Sequence, residues 1–311
     1  MVHVHHLSGL PFDLLPTARD MGVRTVLTLH DYALPCARGQ LVDRQLTPCQ
    51  GPAPERCAPC LFGPSAAQGL RARLAQRRVD LRSEQVVRVF AAADHLLSPS
   101  TDLANRMASL GLRKPQTASL PILRTPRPVV EPPAGPVRFL FASAVIPTKG
   151  PHRVLDAFAR LPTGPTLTLA GPVVPYDGDP TYGERLSGQA QDTPNVTWAG
   201  AVPPDEVPSL LAAHDVLVLP SIWPENSPLI VREAAAAGLR IIAGKPRGVA
   251  ELAPTARLVS PGDEAGLLDA MIAEARRGRG RNTPIPSDTP QTHAQWLLNH
   301  AYAADGGHKG G

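Results

Sequence analysis

Two glutamates eight residues apart, Glu225 and Glu233, stand where the chain is predicted to pass from a strand into a helix. Residues 220–234 read PSIWPENSPLIVREA, so an apolar strand ends at the first proline, and Ser227 and Pro228 can cap and start the helix. The first N–H groups of a helix and its dipole favour an anion. Carboxylates on both sides of an anion site suit a nucleotide-sugar, whose hydroxyls flank a diphosphate. A capped surface helix with two solvated glutamates fits the same pattern.

A lysine follows another predicted strand. Residues 137–150 read VRFLFASAVIPTKG, in which an apolar strand runs into a loop and Lys149 and Gly150 open a helix. An ammonium group at this place can neutralise a diphosphate as a point charge. The alternative is a solvated turn, because a single Lys-Gly pair is a weak motif.

Four cysteines are spaced C-x12-C-x7-C-x2-C in the predicted loop 34–65: Cys36, Cys49, Cys57 and Cys60. In a chain without secretion signals this pattern favours a metal over disulfides. Four thiolates satisfy tetrahedral zinc, so a structural zinc site is the leading interpretation. Free thiols, disulfides and an iron–sulfur cluster stay open as alternatives.

Histidines cluster at the N-terminus, at His3, His5 and His6, and another, His30, follows the next predicted strand. Side chains of a strand alternate between its two faces. We therefore favour a polar strand end over a metal-ligand set for the first three.

Strands and helices alternate along the chain, which predicts α/β architecture with parallel strands. We expect a partial N-terminal domain over residues 1–120 that contains the Cys-rich insert and a long Arg-rich helix over 66–93. Six prolines make residues 121–136 a semi-rigid linker. A doubly wound domain follows over 137–285, and residues 286–311 hold a last helix, over 290–303, and a tail that we expect to be disordered.

Composition excludes several classes of protein. The chain has 311 residues, a net charge of +4 and 43% apolar residues, without the 18-residue apolar run of a spanning helix. It opens without a signal peptide, so we expect a cytoplasmic location. Arg-rich runs at 71–82 and 276–281 come without a nucleic-acid-binding motif. They indicate solvated helix faces or a surface for anionic lipid at the inner face of a membrane, and no nucleic-acid partner is expected.

Together these segments resemble the group-1 (family four) glycosyltransferases, whose GT-B fold has two Rossmann-like domains. Besides residues 137–150 and 220–234, the resemblance rests on five short motifs. These are TLHDY at 28–32, ADHLLSPS at 93–100, LAG at 169–171, AHDVLVLPS at 213–221 and GVAE at 248–251.

The resemblance implies roles for individual residues. Glu233 matches the glutamate that holds the ribose hydroxyls, and Glu225 matches the one that contacts the donor sugar. Lys149 matches the diphosphate lysine, and His30 matches the N-domain histidine that reaches the donor sugar. The remaining donor-binding positions would be Asn226, Ser227, Pro228, Leu229 and Gly171.

The implied reaction is transfer of a hexose from a nucleotide-diphosphate sugar to a glycan or lipid-linked acceptor. The family usually transfers with retention at the anomeric carbon and without a catalytic cofactor. Polysaccharide biosynthesis and peripheral contact with the membrane are compatible with such an acceptor.

Departures from the family pattern keep a second interpretation open. A Gly-Arg pair often lies five residues before the family lysine, but this chain has Ser143 and Ala144. Arg153 or Arg247 are candidates to replace the missing guanidinium. About seventy to eighty residues of the usual N-terminal pattern also have no counterpart. The chain could therefore be a degenerate, non-catalytic nucleotide-sugar-binding module, or a fragment of a longer enzyme.

Overall fold

The computed structural model describes residues 1–124, 126–127, 134–245 and 247–303. It divides into two compact units. The first comprises Met1–Gly39, Gly51–Leu123 and the chain from Ser287 onward, and the second comprises Gln40–Gln50 and Arg124–Pro286. The tail expected to be disordered lies outside the described residues.

The first unit is built on a parallel sheet with strand order β1-β2-β3-β4. Its strands are β1 (Val2–Val4), β2 (Thr25–Thr28), β3 (His95–Ser98) and β4 (Gln116–Thr117). Its helices before the linker are α1 (Leu14–Asp20), α2 (Pro54–Phe62), α3 (Gly69–Ala92) and α4 (Thr101–Ser109). All four residues of β2 are buried, as its continuous apolar run predicts for an inner parallel strand. The α4 helix is capped as predicted, since the Ser100 hydroxyl accepts a hydrogen bond from the Leu103 N–H at 3.1 Å.

The second unit is a six-stranded parallel sheet with order β10-β9-β8-β5-β6-β7. Its strands are β5 (Arg138–Ala142), β6 (Thr166–Ala170), β7 (Val196–Gly200), β8 (Val216–Leu219), β9 (Arg240–Gly244) and β10 (Arg257–Val259). Its helices are α5 (Pro151–Phe158), α6 (Tyr182–Asp192), α7 (Val207–Ala212), α8 (Leu229–Ala236), α9 (Arg247–Leu252) and α10 (Glu264–Arg277). The chain leaves β5 toward β6 and β7 and later returns to its other side as β8. The switch point between β5 and β8 is where ligands bind in folds of this type.

The last helix, α11 (Pro290–His300), belongs to the first unit. Its residue Leu297 joins a buried cluster with Val26 of β2 and Leu97 of β3. None of the helices in the described part of the chain is long and apolar enough to cross a membrane.

Two local predictions are wrong, and one helix was not anticipated. The Cys-rich segment is not all loop, because α2 covers Pro54–Phe62, with a proline in its first turn and Pro59 inside it. The α8 helix begins one residue later than predicted, with Pro228 rather than Ser227 at the N-cap position. The Ser227 hydroxyl instead accepts a hydrogen bond from Arg232 Nε at 2.9 Å. This bond joins the residue before the N-cap to a side chain in the second turn of the helix. The α10 helix was not expected, and the second Arg-rich run begins in its last turn.

Candidate active site

A cavity of about 220 Å³ opens in the second unit, beyond the carboxyl ends of β5 and β6 and against the start of α8. The loop after β5 contributes Ser143 and Ala144, and Gly171 follows β6. Glu233 enters from α8, and Arg124 enters from the chain segment before β5. The rest of the lining is largely apolar.

Gly171 makes the close approach between two loops possible. Its φ is +143°, and a Cβ atom there would lie 1.8 Å from the Ser143 carbonyl oxygen. Its N–H also donates to the Gly200 carbonyl at 2.7 Å. Any side chain at this position would push the β5 and β6 loops apart and change the shape of the cavity.

Glu233 is the buried carboxylate of the cavity, with only 3% of the residue exposed. Arg124 Nη1 donates a hydrogen bond to its Oε1 at 2.6 Å. Burial raises the pKa of Glu233, and the neighbouring Arg124 guanidinium opposes this rise without cancelling it. The site therefore holds a desolvated acceptor group.

Glu225 and Lys149 form a second polar group beside the same helix. Glu225 Oε1 accepts hydrogen bonds from Lys149 Nζ at 2.6 Å, from Ser221 Oγ at 2.6 Å and from Trp223 Nε1 at 2.7 Å. The ammonium also lies 4.7 Å from the centre of the Trp223 ring. Glu225 and Lys149, which were predicted from two separate motifs, thus form an ion pair. Neither is among the described residues that line the cavity.

The turn between Glu225 and α8 is packed against another backbone. A Cβ atom on Gly248 would lie 2.4 Å from the Asn226 carbonyl oxygen and 2.7 Å from that of Glu225. Asn226 itself is 2% exposed, and Leu229 lines the cavity. The lack of a side chain at Gly248 therefore lets α9 pack closely against the turn that precedes Ser227 and Pro228 of the predicted donor-binding stretch.

Neither arginine suggested as a replacement for the missing guanidinium is shown to fill that place. Arg153 is buried, and it donates to Glu264 Oε1 at 2.6 Å and to the Pro220 carbonyl at 2.9 Å. Arg153 thus stabilises the chain at the end of β8. Arg247 opens α9, and its side chain lies outside the described part of the structure.

His30 lies in the first unit, after β2, next to the N-terminal histidines. His5 Nδ1 and His30 Nε2 share a hydrogen bond of 3.0 Å, and His6 Nε2 lies 3.0 Å from Asp31 Oδ2. His3 Nε2 bonds Thr28 Oγ1 at 2.8 Å, and burial lowers the pKa of His3 to about 4. Burial also lowers the pKa values of His5 and His30.

This histidine group borders a cavity of about 310 Å³ within the first unit, which includes His5, His6 and His30 in its lining. His3 lies in β1, and His5 and His6 follow its end. The polar strand end that we favoured over a metal-ligand set for these histidines stays a prediction. Sequence reasoning did not anticipate that their rings would contact the residues after β2.

The predicted zinc ligands are half-buried thiols that form no disulfide. Cys57 and Cys60 lie on α2, one turn apart. No group of three or more metal-ligating side chains is found in the part of the chain that the structure describes. The zinc site stays a prediction, and metal analysis of the purified protein is its test.

Three residues of the site were missed by sequence reasoning. Ser221 and Trp223 lie inside the motif that was singled out, and their polar groups next to Glu225 were an available signal. No such signal exists for Arg124 in the sequence, because this residue lies in the Pro-rich segment, 109 residues from its partner Glu233.

Comparison with known proteins gives one family match. Residues 125–273 match the family model for glycosyl transferases group 1. No significant match is found among curated proteins.

Several solved structures share the fold. HepE from Anabaena, in complex with UDP, is 18% identical with a TM-score of 0.62, and the alignment covers 92% of this chain and 74% of HepE. HepE in complex with UDP-glucose gives a TM-score of 0.56 at 18% identity, with 92% and 75% covered. Sucrose-phosphate synthase from Thermosynechococcus elongatus is 17% identical with a TM-score of 0.59, with 88% of this chain and 65% of the synthase covered.

At these identities the structural likeness establishes the fold, while the family model establishes the kind of domain. The two parallel sheets of the chain are those of GT-B glycosyltransferases. Residues 125–273 of the chain are therefore a group 1 glycosyltransferase domain.

Proposed function

We propose that the chain transfers a hexose from a nucleoside-diphosphate sugar to a glycan or lipid-linked acceptor, with retention at the anomeric carbon and without a metal ion. The observation that carries this proposal is the cavity beyond β5 and β6, with the buried carboxylate of Glu233 inside it. The UDP and UDP-glucose held by HepE support this donor class.

Glu233 would bind the ribose. A carboxylate in a site with little water accepts hydrogen bonds from the two ribose hydroxyls, and hydrogen bonds to charged groups are the stronger kind. Gly171, which carries no side chain, forms part of the cavity wall that also includes Glu233.

The diphosphate would lie at the start of α8. The N–H groups of Leu229 and Ile230 precede the first hydrogen bond of that helix, from Val231 to Pro228, and N–H groups at this position attract negative charge. Lys149 adds a positive charge near the same turn, held in place by Glu225 and the Trp223 ring. As the bond between sugar and diphosphate breaks, negative charge grows on the leaving group. Fixed positive groups that meet this charge lower the barrier.

His30 and Glu225 would act at the sugar. Because burial and the neighbouring His5 lower the pKa of His30, its ring is neutral at pH 7 and can accept or donate a hydrogen bond. Oε1 of Glu225 accepts three hydrogen bonds from the protein. The other carboxylate oxygen would accept hydrogen bonds from the hexose.

The test is a donor screen with the complete chain. UDP-, ADP- and GDP-hexoses are incubated with the protein, with and without EDTA, and release of nucleoside diphosphate is measured alone and with glycan or lipid-linked acceptors. We expect EDTA-resistant release from one donor and loss of release in Glu233→Ala. The anomeric configuration of the product reports retention. Equal release by wild type and Glu233→Ala would contradict the proposed site.

A non-catalytic nucleotide-sugar-binding module is the second candidate. The cavity wall after β5 consists of Ser143 and Ala144, which bring no charge to the diphosphate. Binding of a nucleoside diphosphate without release or transfer from any donor would favour this candidate over the enzyme.

A lipid-linked acceptor would bring the chain to the inner face of a membrane. Sedimentation with vesicles of phosphatidylglycerol, compared with neutral phosphatidylcholine vesicles, tests this contact. No preference for the anionic vesicles would contradict it.

A further inference from the structure

We infer that Arg124 is a donor-binding residue whose guanidinium leaves Glu233 when the donor enters and binds its diphosphate. This inference rests on the proposed function, since it assigns a further residue to the same site. Arg124 also supplies a positive charge, which Ser143 and Ala144 do not carry.

The charges around the cavity lead to this residue. Among the described residues that line it, Arg124 is the one cation and Glu233 the one anion. Arg153 and Lys149 are not among these lining residues; Arg153 donates to Glu264 and to the Pro220 carbonyl through Nε and Nη1, and Lys149 donates to Glu225. Among the cations that the structure describes, Arg124 is therefore the one that a diphosphate in this cavity would meet first.

The contact with Glu233 is one that a donor must break. Arg124 Nη1 lies 2.6 Å from Glu233 Oε1, on the carboxylate assigned to the ribose hydroxyls. Once those hydroxyls take the carboxylate, the guanidinium has lost its partner in a largely apolar cavity. Leaving it there unpaired would be costly, because a charge that is only 27% exposed still needs a counter-ion.

The diphosphate is the counter-ion within reach. It is bonded to the same ribose through its 5′ oxygen, so the guanidinium needs to move only a short way. Phosphate oxygens match the planar fork of arginine and accept two parallel hydrogen bonds. Arg124 lies outside the helices and strands, and its side chain is 27% exposed, so it can turn without disturbing the sheet.

The contact with Glu233 also prepares the site before binding. Arg124 opposes the rise that burial causes in the pKa of Glu233 and so favours the ionised form of the carboxyl group. Arg124 would thus pair with Glu233 when no donor is bound and with the diphosphate when the donor is bound.

The experiment compares a diphosphate with its nucleoside. Isothermal titration measures UDP and uridine binding to wild type, Arg124→Ala, Arg124→Lys and the matched control Arg127→Ala, an exposed arginine of the same segment. ADP with adenosine, or GDP with guanosine, replaces the pair if that diphosphate binds wild type more tightly.

We expect Arg124→Ala to weaken diphosphate binding by about 10- to 100-fold, as for a lost hydrogen bond to a charged group. Nucleoside binding should stay equal or become tighter, because Glu233 is no longer covered. Arg124→Lys should fall in between, since an ammonium keeps the charge without the fork. Arg127→Ala should leave both ligands unchanged.

Two results would overturn the inference. An equal loss for diphosphate and nucleoside would mean that Arg124 only supports Glu233. Tighter binding of both ligands in Arg124→Ala would mean that Arg124 is only a cover on the ribose site. Failure of the proposed function is distinguishable from both, because wild type would then bind none of the three diphosphates.

Discussion

Removing the Glu225 carboxylate should destabilise the second unit even with no ligand present. In Glu225→Ala the Lys149 ammonium, 15% exposed, loses its counter-ion, and the Ser221 hydroxyl and Trp223 indole lose their acceptor. Breaking a buried pair by deleting one partner costs about 3–5 kcal/mol. Because some water reaches Lys149, we expect the lower part of this range, about 3–4 kcal/mol.

Urea unfolding followed by circular dichroism measures this loss, with the slope unchanged if the native state stays compact. In a unit of this size each kcal/mol lowers Tm by about 2–4 °C, so thermal unfolding should shift by about 6–16 °C. The matched control is Glu184→Ala, an exposed glutamate in the first turn of α6, which should cost at most about 1 kcal/mol.

A double variant separates the ion pair from simple loss of packing. Lys149→Met in the Glu225→Ala background removes the orphaned charge, so the double variant should lose less stability than the sum of the single variants, by about 1–3 kcal/mol. The reasoning is refuted if Glu225→Ala costs less than about 1 kcal/mol or if the two changes are additive within about 0.5 kcal/mol.

Three further predictions follow from other parts of the two units. UDP affinity should fall as pH drops through the raised pKa of Glu233, because a protonated carboxyl accepts hydrogen bonds poorly; Glu233→Gln should bind at least about tenfold more weakly and lose this dependence. A wild-type affinity that is constant from pH 8 down to 4.5, the ordinary pKa of a glutamate, would speak against it. His3 has its pKa lowered to about 4, so between pH 6.5 and 4 the unfolded chain binds a proton that the folded chain does not. Stability measured by urea unfolding should therefore fall with pH in that window and fall less in His3→Asn; parallel curves would exclude this cause. Gly171→Ala, whose Cβ would meet the Ser143 carbonyl, should cost about 2–4 kcal/mol. Gly188→Ala, in open space inside α6, should gain up to about 1 kcal/mol, and similar melting temperatures for the two variants would contradict the crowding.

The doubly wound second unit was predictable because its signals are local and repeated. Each buried parallel strand is a short apolar run, and the β6 boundaries, Thr166–Ala170, agree with the sequence expectation. Likewise, the capping serine before α4 and the glycine after it follow directly from backbone geometry.

Local signals failed where packing decides the structure. The segment around Cys57 looked like a loop, because it is short and rich in proline and cysteine. In the folded chain, Ala58 of α2 is buried with Ala66 and Ala75, so contact with α3 holds a helix that has a proline inside it. A short helix with weak intrinsic propensity forms when such contacts offset the cost.

By itself, the sequence determined which residue types stand at the strand ends: a lysine after β5, a glycine after β6 and two glutamates after β8. Only the tertiary structure decided which of them meet. Glu225 pairs with Lys149 across 76 residues, and Glu233 pairs with Arg124 across 109. The physical reason is that the order of strands, with β8 and β6 on either side of β5, brings distant chain segments to one edge of the sheet. Composition and periodicity do not encode that order, because it follows from how the crossovers pack the whole sheet.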